Sequence, residues 1–330
     1  MSVRVSVVIP CYKCADWIEA TLESVVKQTY SHDHLEIIVV DDASPDDSGQ
    51  VASRFLEKQS VRSRVVRAEK NAGLGATRNV GWKLASGDWI QFLDADDLLA
   101  PHKLELQASV ASSAPDDVAV VYSQFQHFSL VGDRWQPSGA VIAPFVDEDP
   151  VVQILHDWDF GYVGPTIVRK SWVERVAGFE EGPRVGEDCD LMLRMAMAGA
   201  RFRVARADEV PFFYRQTPNS LWRATISQVV DMRRLLVGFR GVEEFLRARS
   251  PAGLSDFERL GLASRYSRFA DIYLDNDPEG FRLLMGWLQG LGYRYPTNLT
   301  PRLRALSNAI GYDAALRLRA AFRRVGKRFR

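Results

Sequence analysis

Cysteine is scarce in this sequence, three residues in 330, which excludes a disulfide-stapled scaffold. No run of about 18 apolar residues occurs, so no segment reads as a membrane-spanning helix. Internal repeats and low-complexity segments are missing as well. The opening MSVRVSVVIP is too short and too alternating for a secretory leader and reads as a strand, so a cytoplasmic compartment is expected. Net charge is zero, with 42 Lys and Arg against 42 Asp and Glu. What is present is ordinary for a globular chain: 46% hydrophobic and 25% charged residues exclude wholesale disorder. The length suits one large domain or two of usual size.

The zero net charge hides an asymmetry. Residues 301–330 carry nine Arg and Lys and one Asp, so the rest of the chain is net acidic. A basic segment of this kind is a solvated helix face in its plainest reading. Leu303, Leu306, Ile310, Leu316 and Phe322 are interleaved with the arginines. The sharper expectation is therefore an interfacial helix drawn to an anionic membrane surface, which would place the protein peripherally at the inner face of the cell membrane. Nucleic acid is not an expected partner.

The first hundred residues alternate strand and helix signals. Val3–Ile9 is β-branched and nearly continuous, as a strand buried on both faces should be. Residues 16–28 follow at helical spacing, with Trp17, Ile18, Leu22, Val25 and Val26 on one side. Leu35–Val40 predicts a second strand, residues 46–59 a helix, and Val65-Val66 a short strand. Asn71–Ser86 predicts a glycine-led helix, Trp89–Leu93 a further strand, and Pro101 the first turn of the next helix. This repetition implies right-handed crossovers and a mostly parallel sheet. Ligands then bind beyond the carboxyl ends of the strands. Tyr12 and Lys13, Asp41 and Asp42, and Asp94, Asp96 and Asp97 all fall at that edge. Further on, Val118–Tyr122, Val163–Val168, Arg201–Val204 and Pro211–Tyr214 read as strands and Glu187–Ala198 as a helix. From Leu221 the pattern is helical, with breaks near Pro251, Pro278 and Pro296.

Several clusters can carry chemistry. Asp94-Ala95-Asp96 after an apolar strand suits a hard divalent cation, which takes one or two carboxylates and completes its shell with substrate phosphates and water. Its plain alternative is a solvated capping turn. Asp41-Asp42 at the second strand end can accept hydrogen bonds from sugar hydroxyls or a base N–H, or can merely cap a turn. Asn71 to Asn79 contains Gly73 and Gly75, which admit a close backbone approach, and Arg78, which offers charge to a diphosphate. Glu187-Asp188 opens a helix, where a carboxylate is either a dipole partner or a general base. A carboxylate near the ordinary aspartate value of about 3.9 is ionised at neutral pH and needs no activation for that work. Cys11-Tyr12-Lys13-Cys14 has the C-x-x-C spacing of redox or zinc chemistry, with His32 and His34 as the nearest further zinc ligands.

Five of these segments, taken in order, resemble family 2 glycosyltransferases of the GT-A fold. Val5–Tyr12 resembles the family's opening strand and loop, and Ile38–Ser44 its second-strand signature. Asn71–Asn79 resembles the N-x-G-x-x-x-A-R-N element, with Thr77 at the alanine position. Phe92–Asp97 resembles the D-x-D motif and Gly186–Leu191 the E-D segment. The resemblance covers roughly residues 1–222. It implies an α/β GT-A domain with a mostly parallel central sheet and a C-terminal helical extension. Residues 1–115 would bind the nucleotide sugar, 116–222 the acceptor, and 223–330 would form the helical extension. It also implies an inverting transfer from a nucleotide-diphosphate sugar, most commonly a UDP-sugar, to a glycan, lipid-linked or other hydroxyl acceptor in surface polysaccharide synthesis, with Mg²⁺ or Mn²⁺ as cofactor. In that scheme Tyr12 flanks the base and Asp42 bonds to it. Asp94 lies near the ribose or donor sugar, Asp96 holds the cation, and Pro10 and Arg78 line the donor site. Asp188 deprotonates the acceptor.

Two positions depart from the pattern. Lys13 stands where asparagine is usual, and Thr217, within Tyr214–Ser220, stands where the family has a histidine that can contact metal or diphosphate. Arg215 or Ser220 could then reach phosphate instead. Two rival readings are a catalytically silent sugar-nucleotide or glycan-binding module of the same fold, and a nicotinamide oxidoreductase built on Gly73 and Gly75. The second lacks the third glycine of its motif.

Overall fold

Apolar runs free of polar residues form the centre of the sheet because both their faces are covered. In the computed structural model β1 (Val5–Cys11) and β2 (Leu35–Asp41) are buried at every position. The structure describes residues 3–318, except 133, 144–148, 158, 183–185, 207, 218–228, 295, 298–300, 313 and 316–317. The chain divides into two compact units, Met1–Thr225 and Ile226–Arg330.

In the first unit α1 (Ile18–Val26) buries Ile18, Leu22 and Val25, and α2 (Ser48–Leu56) leads into β3 (Arg62–Arg67). β3 is largely exposed and carries Arg62, Arg64 and Arg67, charges suited to a sheet edge. Then follow α3 (Leu74–Leu84), β4 (Trp89–Phe92), β5 (Leu98–Leu99), α4 (Lys103–Ser112) and β6 (Val118–Tyr122). Pro101 sits two residues ahead of α4 rather than inside its first turn, and its carbonyl accepts from the Thr29 amide. The glycine segment follows the exposed β3 and opens α3 with Gly73 at φ 89°.

The hairpin β7 (Phe125–Val131) and β8 (Arg134–Ile142) comes next, then α5 (Pro150–His156), β9 (Thr166–Arg169) and α6 (Lys170–Arg175). α7 (Glu187–Met197), β10 (Arg201–Val204) and β11 (Phe212–Arg215) complete the unit. The main sheet has the order β10-β6-β9-β4-β1-β2-β3. Every pairing in it is parallel except those of β9, which runs antiparallel to both β4 and β6. A second sheet has the order β5-β11-β7-β8. Pro10, in β1, lies beyond the last residue paired with β4, so its missing N–H interrupts no ladder on that side.

The second unit is helical: Val229–Arg249, Asp256–Asn276, Pro278–Gly290 and Pro301–Ile310. Ser255 and Glu258 form a reciprocal capping box at the second of these. Pro278 opens the third, with the Asp277 carboxylate accepting from the Gly280 amide. The buried Glu243 carboxylate is shared by Arg240, Arg247 and the Tyr266 hydroxyl.

Candidate active site

The parallel order places the ends of β1, β2 and β4 along one edge, where Tyr12, Asp42 and Asp94 follow their strands. Backbone links hold the first two loops together. The Asp42 amide donates to the Cys11 carbonyl at 2.9 Å, and the Lys13 amide donates to Ser44 Oγ at 3.2 Å. Tyr12 is exposed, and Lys13 adopts φ 53°. Asp42 is buried, and both its carboxylate oxygens are in use: they accept from the Ala72 and Gly73 amides at 2.8 and 3.0 Å. Asp42 thereby sets the point at which α3 starts.

One turn into α3, Arg78 enters the site. Its side chain is 1% exposed. The guanidinium donates to Asp94 Oδ1 at 2.7 Å, Glu187 Oε1 at 2.8 Å and Asp188 Oδ1 at 2.6 Å. Burial works against the Arg78 charge, but Asp188, Asp94 and Glu187 outweigh it and hold the group well above its ordinary value. The planar fork of arginine makes this three-way bridge geometrically natural. The Phe179 ring lies 5.3 Å from the guanidinium carbon.

Glu187 and Asp188 begin α7 after Gly186, which takes φ 84°. Both carboxylates lie in the first turn, where the helix dipole favours negative charge. Burial and the neighbouring Asp188 push the Glu187 carboxyl well above the usual range, with Arg78 opposing. Glu187 Oε2 is buried with no hydrogen-bond partner among the described residues. Asp188 presents Oδ1 to Arg78, whereas its Oδ2 meets, among the described residues, the Val163 amide at 3.4 Å.

The acidic turn after β4 is graded by burial. Asp97 is fully buried and accepts from the Tyr162 hydroxyl and the Arg215 amide. Burial, Asp96 and Asp94 push its carboxyl well up. Asp96, next to it, is pushed up to about 6, by burial first and by Asp94 second. Thr217 Oγ1 donates to Asp96 Oδ2 at 3.2 Å, so the residue at the family's histidine position does reach the proposed cation ligand. Arg215 lies between Trp17, Trp135 and Phe128, at 5.0, 5.1 and 5.9 Å from their ring centres. Ser220 lies outside the described residues.

Among the described residues, no group of three or more His, Cys, Asp or Glu side chains is arranged to hold a metal ion. The pair Asp94 and Asp96 nonetheless offers hard oxygen donors of the kind Mg²⁺ and Mn²⁺ prefer, and the crowding that raises Asp96 is what a bound cation would relieve. Among the described residues neither His32 nor His34 forms a metal-holding group with the cysteines, and His32 Nε2 pairs with the Val26 carbonyl.

The structure thus brings Arg78, Asp94 and Asp188 into direct contact, with Asp96 two residues from Asp94 and Asp42 supporting the start of α3. Sequence reasoning gave Glu187 no role of its own and did not find Tyr162 or the rings around Arg215. Tyr162 carries no motif. Trp17 and Trp135 meet edge to face with 5.6 Å between ring centres, across more than a hundred residues of chain.

A sequence model described as glycosyl transferase family 2 matches residues 6–176, a stretch that ends before Gly186. The succinoglycan biosynthesis protein ExoO of Rhizobium meliloti (strain 1021) is 27% identical over 260 residues, covering 76% of this chain and 70% of that protein. Among solved structures, S. aureus TarS 1–349 in complex with UDP-GlcNAc aligns with a TM-score of 0.66 at 18% identity, covering 97% of this chain and 92% of that one. The mannosyltransferase PcManGT from Pyrobaculum calidifontis, in complex with GDP-Man and Mn²⁺, aligns with a TM-score of 0.55 at 20% identity, covering 97% and 87%. At these identities the two structures share their fold with this chain.

Proposed function

The chain belongs to glycosyl transferase family 2 and has the GT-A fold, and from that premise we propose that it transfers a sugar, with inversion, from a nucleotide-diphosphate donor to a hydroxyl acceptor. The Arg78 bridge carries the reading. It draws the strand-end aspartate Asp94 and the helix-start aspartate Asp188 to one guanidinium, across 110 residues of sequence between Arg78 and Asp188.

Asp188 is the general base. With Oδ1 tied to Arg78, its Oδ2 is the oxygen left to take the acceptor proton as the hydroxyl attacks the anomeric carbon. Attack from the face opposite the leaving diphosphate inverts the anomeric centre. Tyr12 and the residues around Asp42 receive the nucleoside, and Pro10 lines the same loop. Asp42 bonds to the base with the acceptor capacity its carboxylate keeps beyond the two glycine-loop amides it holds. Asp94, fixed by Arg78, faces the ribose or the sugar. A divalent cation bound at Asp96 would offset the charge that develops on the leaving diphosphate.

Residues 1–115 form the donor half of this site and 116–222 the acceptor half, with 223–330 as a helical extension. ExoO is named for succinoglycan synthesis, and TarS and PcManGT were solved with a UDP-sugar and a GDP-sugar. These favour a nucleotide-sugar donor and a growing surface polysaccharide as acceptor; a UDP-sugar is the family's commonest donor, and dTDP- and GDP-sugars fit this chain equally well.

A panel of UDP-, GDP- and dTDP-sugars, scored by thermal shift with Mn²⁺ and followed by assay of nucleotide release, tests the proposal. A ligand that binds the folded state alone raises its melting temperature. Selective stabilisation by one nucleotide sugar, with acceptor-dependent release, is the expected result. A chain that no nucleotide sugar stabilises does not have this function.

A further inference from the structure

Cys11 and Cys14 are not used by the mechanism above. Cys11 ends β1, and Cys14 stands three residues later, before α1. Both are buried, and the two residues between them, Tyr12 and Lys13, are exposed. The two sulfurs lie 2.6 Å apart, about half an ångström outside the ~2.05 Å of a disulfide bond. The backbone holds them there. The Cys14 amide donates to Ser48 Oγ at 2.8 Å, its carbonyl accepts from the Trp17 and Ile18 amides, and the Cys11 carbonyl accepts from the Asp42 amide. The third cysteine, Cys189, is on α7.

We propose that Cys11 and Cys14 are a reversible dithiol–disulfide site, oxidised by exchange with a small-molecule disulfide, whose closure makes a covalent ring around Tyr12 and Lys13 at the donor site. One thiol loses its proton, and its thiolate attacks a sulfur of the external disulfide, forming a mixed disulfide and releasing one thiolate. The second cysteine, deprotonated in turn, attacks the mixed disulfide at the protein sulfur and expels the second thiolate. Both leaving thiolates take up protons. Two protein thiols are oxidised to one disulfide, and the external disulfide is reduced to two thiols.

The hydrogen bond with Cys14, and burial after it, push the Cys11 thiol above its ordinary value, and both sulfurs are shielded, so exchange requires local opening of the Tyr12-Lys13 turn, is slow near neutrality and quickens as pH rises. The ring closes on a loop joined to the second strand end through Lys13–Ser44 and Cys11–Asp42. Oxidation therefore fixes the Tyr12 loop in one arrangement against β2. Only this coupling to nucleotide affinity rests on the function proposed above; the thiol chemistry does not.

The test is to incubate the folded chain with oxidised glutathione at about pH 8.5, near the ordinary thiol value, unfold it in an alkylating agent and map the peptides. The expected result is one alkylated cysteine, Cys189, and a peptide containing Cys11 and Cys14 that has lost two hydrogens. Dithiothreitol should restore three alkylated residues. Cys14→Ser should stop at a glutathione adduct or remain reduced.

Three alkylated cysteines at every oxidant concentration, or stable glutathione adducts on the unmutated chain without ring closure, would overturn the site. Nucleotide-sugar affinity is then measured on the oxidised and reduced forms, with a change of several-fold expected. Equal affinities would overturn the coupling to the donor loop. Failure of both forms to bind any nucleotide sugar would instead overturn the function proposed above, while the peptide map still decides the thiol chemistry.

Discussion

Around Arg78 one positive charge faces three carboxyl groups in a pocket nearly closed to water. Removing one partner of a buried, paired charge typically costs about 3–5 kcal/mol, because the charge left behind has no water to turn to. Arg78→Met is therefore expected to lower unfolding free energy by about that amount, read from urea melts, and to abolish transfer. At Asp188 the amide of Asp188→Asn keeps the shape but not the proton acceptor. Turnover should fall by about 10²–10⁴-fold, with donor affinity by calorimetry unchanged; near-normal turnover would remove Asp188 from the reaction.

Asp96 adds a pH dependence whose sign is fixed. Its carboxyl, raised to about 6 by burial and Asp94, is ionised above that pH and protonated below it. A cation needs the ionised form, so Mn²⁺-dependent donor binding should be full above pH 7 and weaken toward pH 5, approaching tenfold per unit. Titrations at pH 5, 6 and 7 measure this, and affinity that is flat across the range would sever the cation from Asp96.

At the scale of elements, the position of α3 governs where Arg78 points. Gly75 sits one turn before it, and a Cβ at Gly75 would lie 2.5 Å from the Glu180 carbonyl oxygen, which is backbone and cannot swing aside. Gly75→Ala should cost about 1–3 kcal/mol, as overpacking does. It should also reduce transfer beyond what its melting temperature explains, because the whole helix start shifts; activity assayed well below the melting temperature separates the two.

The alternating strands and helices of the first hundred residues were legible because β1 and β2 are uniformly buried and α1 keeps its apolar residues on one face. The hairpin β7–β8 was not. Its strands are half exposed, and β8 contains Pro137 and Gly139, which belong to edge strands and bulges rather than to a readable pattern. The pattern predicts a strand over Val163–Val168, but pairing in β9 begins only at Thr166, and Val163 instead turns its amide toward Asp188. The acidic clusters were legible as candidates through their strand-end positions. The link among them was not, because a side-chain bridge from Arg78 to Glu187 and Asp188 leaves no local trace in sequence.

For the molecule as a whole, no helix among the described residues is long and apolar enough to cross a membrane. The expectation of a bilayer contact rests separately on the basic segment 301–330, of which residues 313, 316–317 and 319–330 lie outside the described ones. Each Lys or Arg near an anionic surface is worth about 1 kcal/mol. The full chain is expected to float with phosphatidylserine vesicles at low salt and to stay behind at high salt or when 301–330 is deleted. Flotation that survives the deletion would place the contact elsewhere.

The antiparallel insertion of β9 between β4 and β6 has a mechanical consequence. Strands that end at the proposed nucleotide side, β1, β2 and β4, and strands of the proposed acceptor side, β6 and β10, are stitched into one amide ladder through β9. Prising these sides apart would tear that ladder, so the pocket has no jaw to open. If the chain works as proposed, substrates would have to enter without these strands separating.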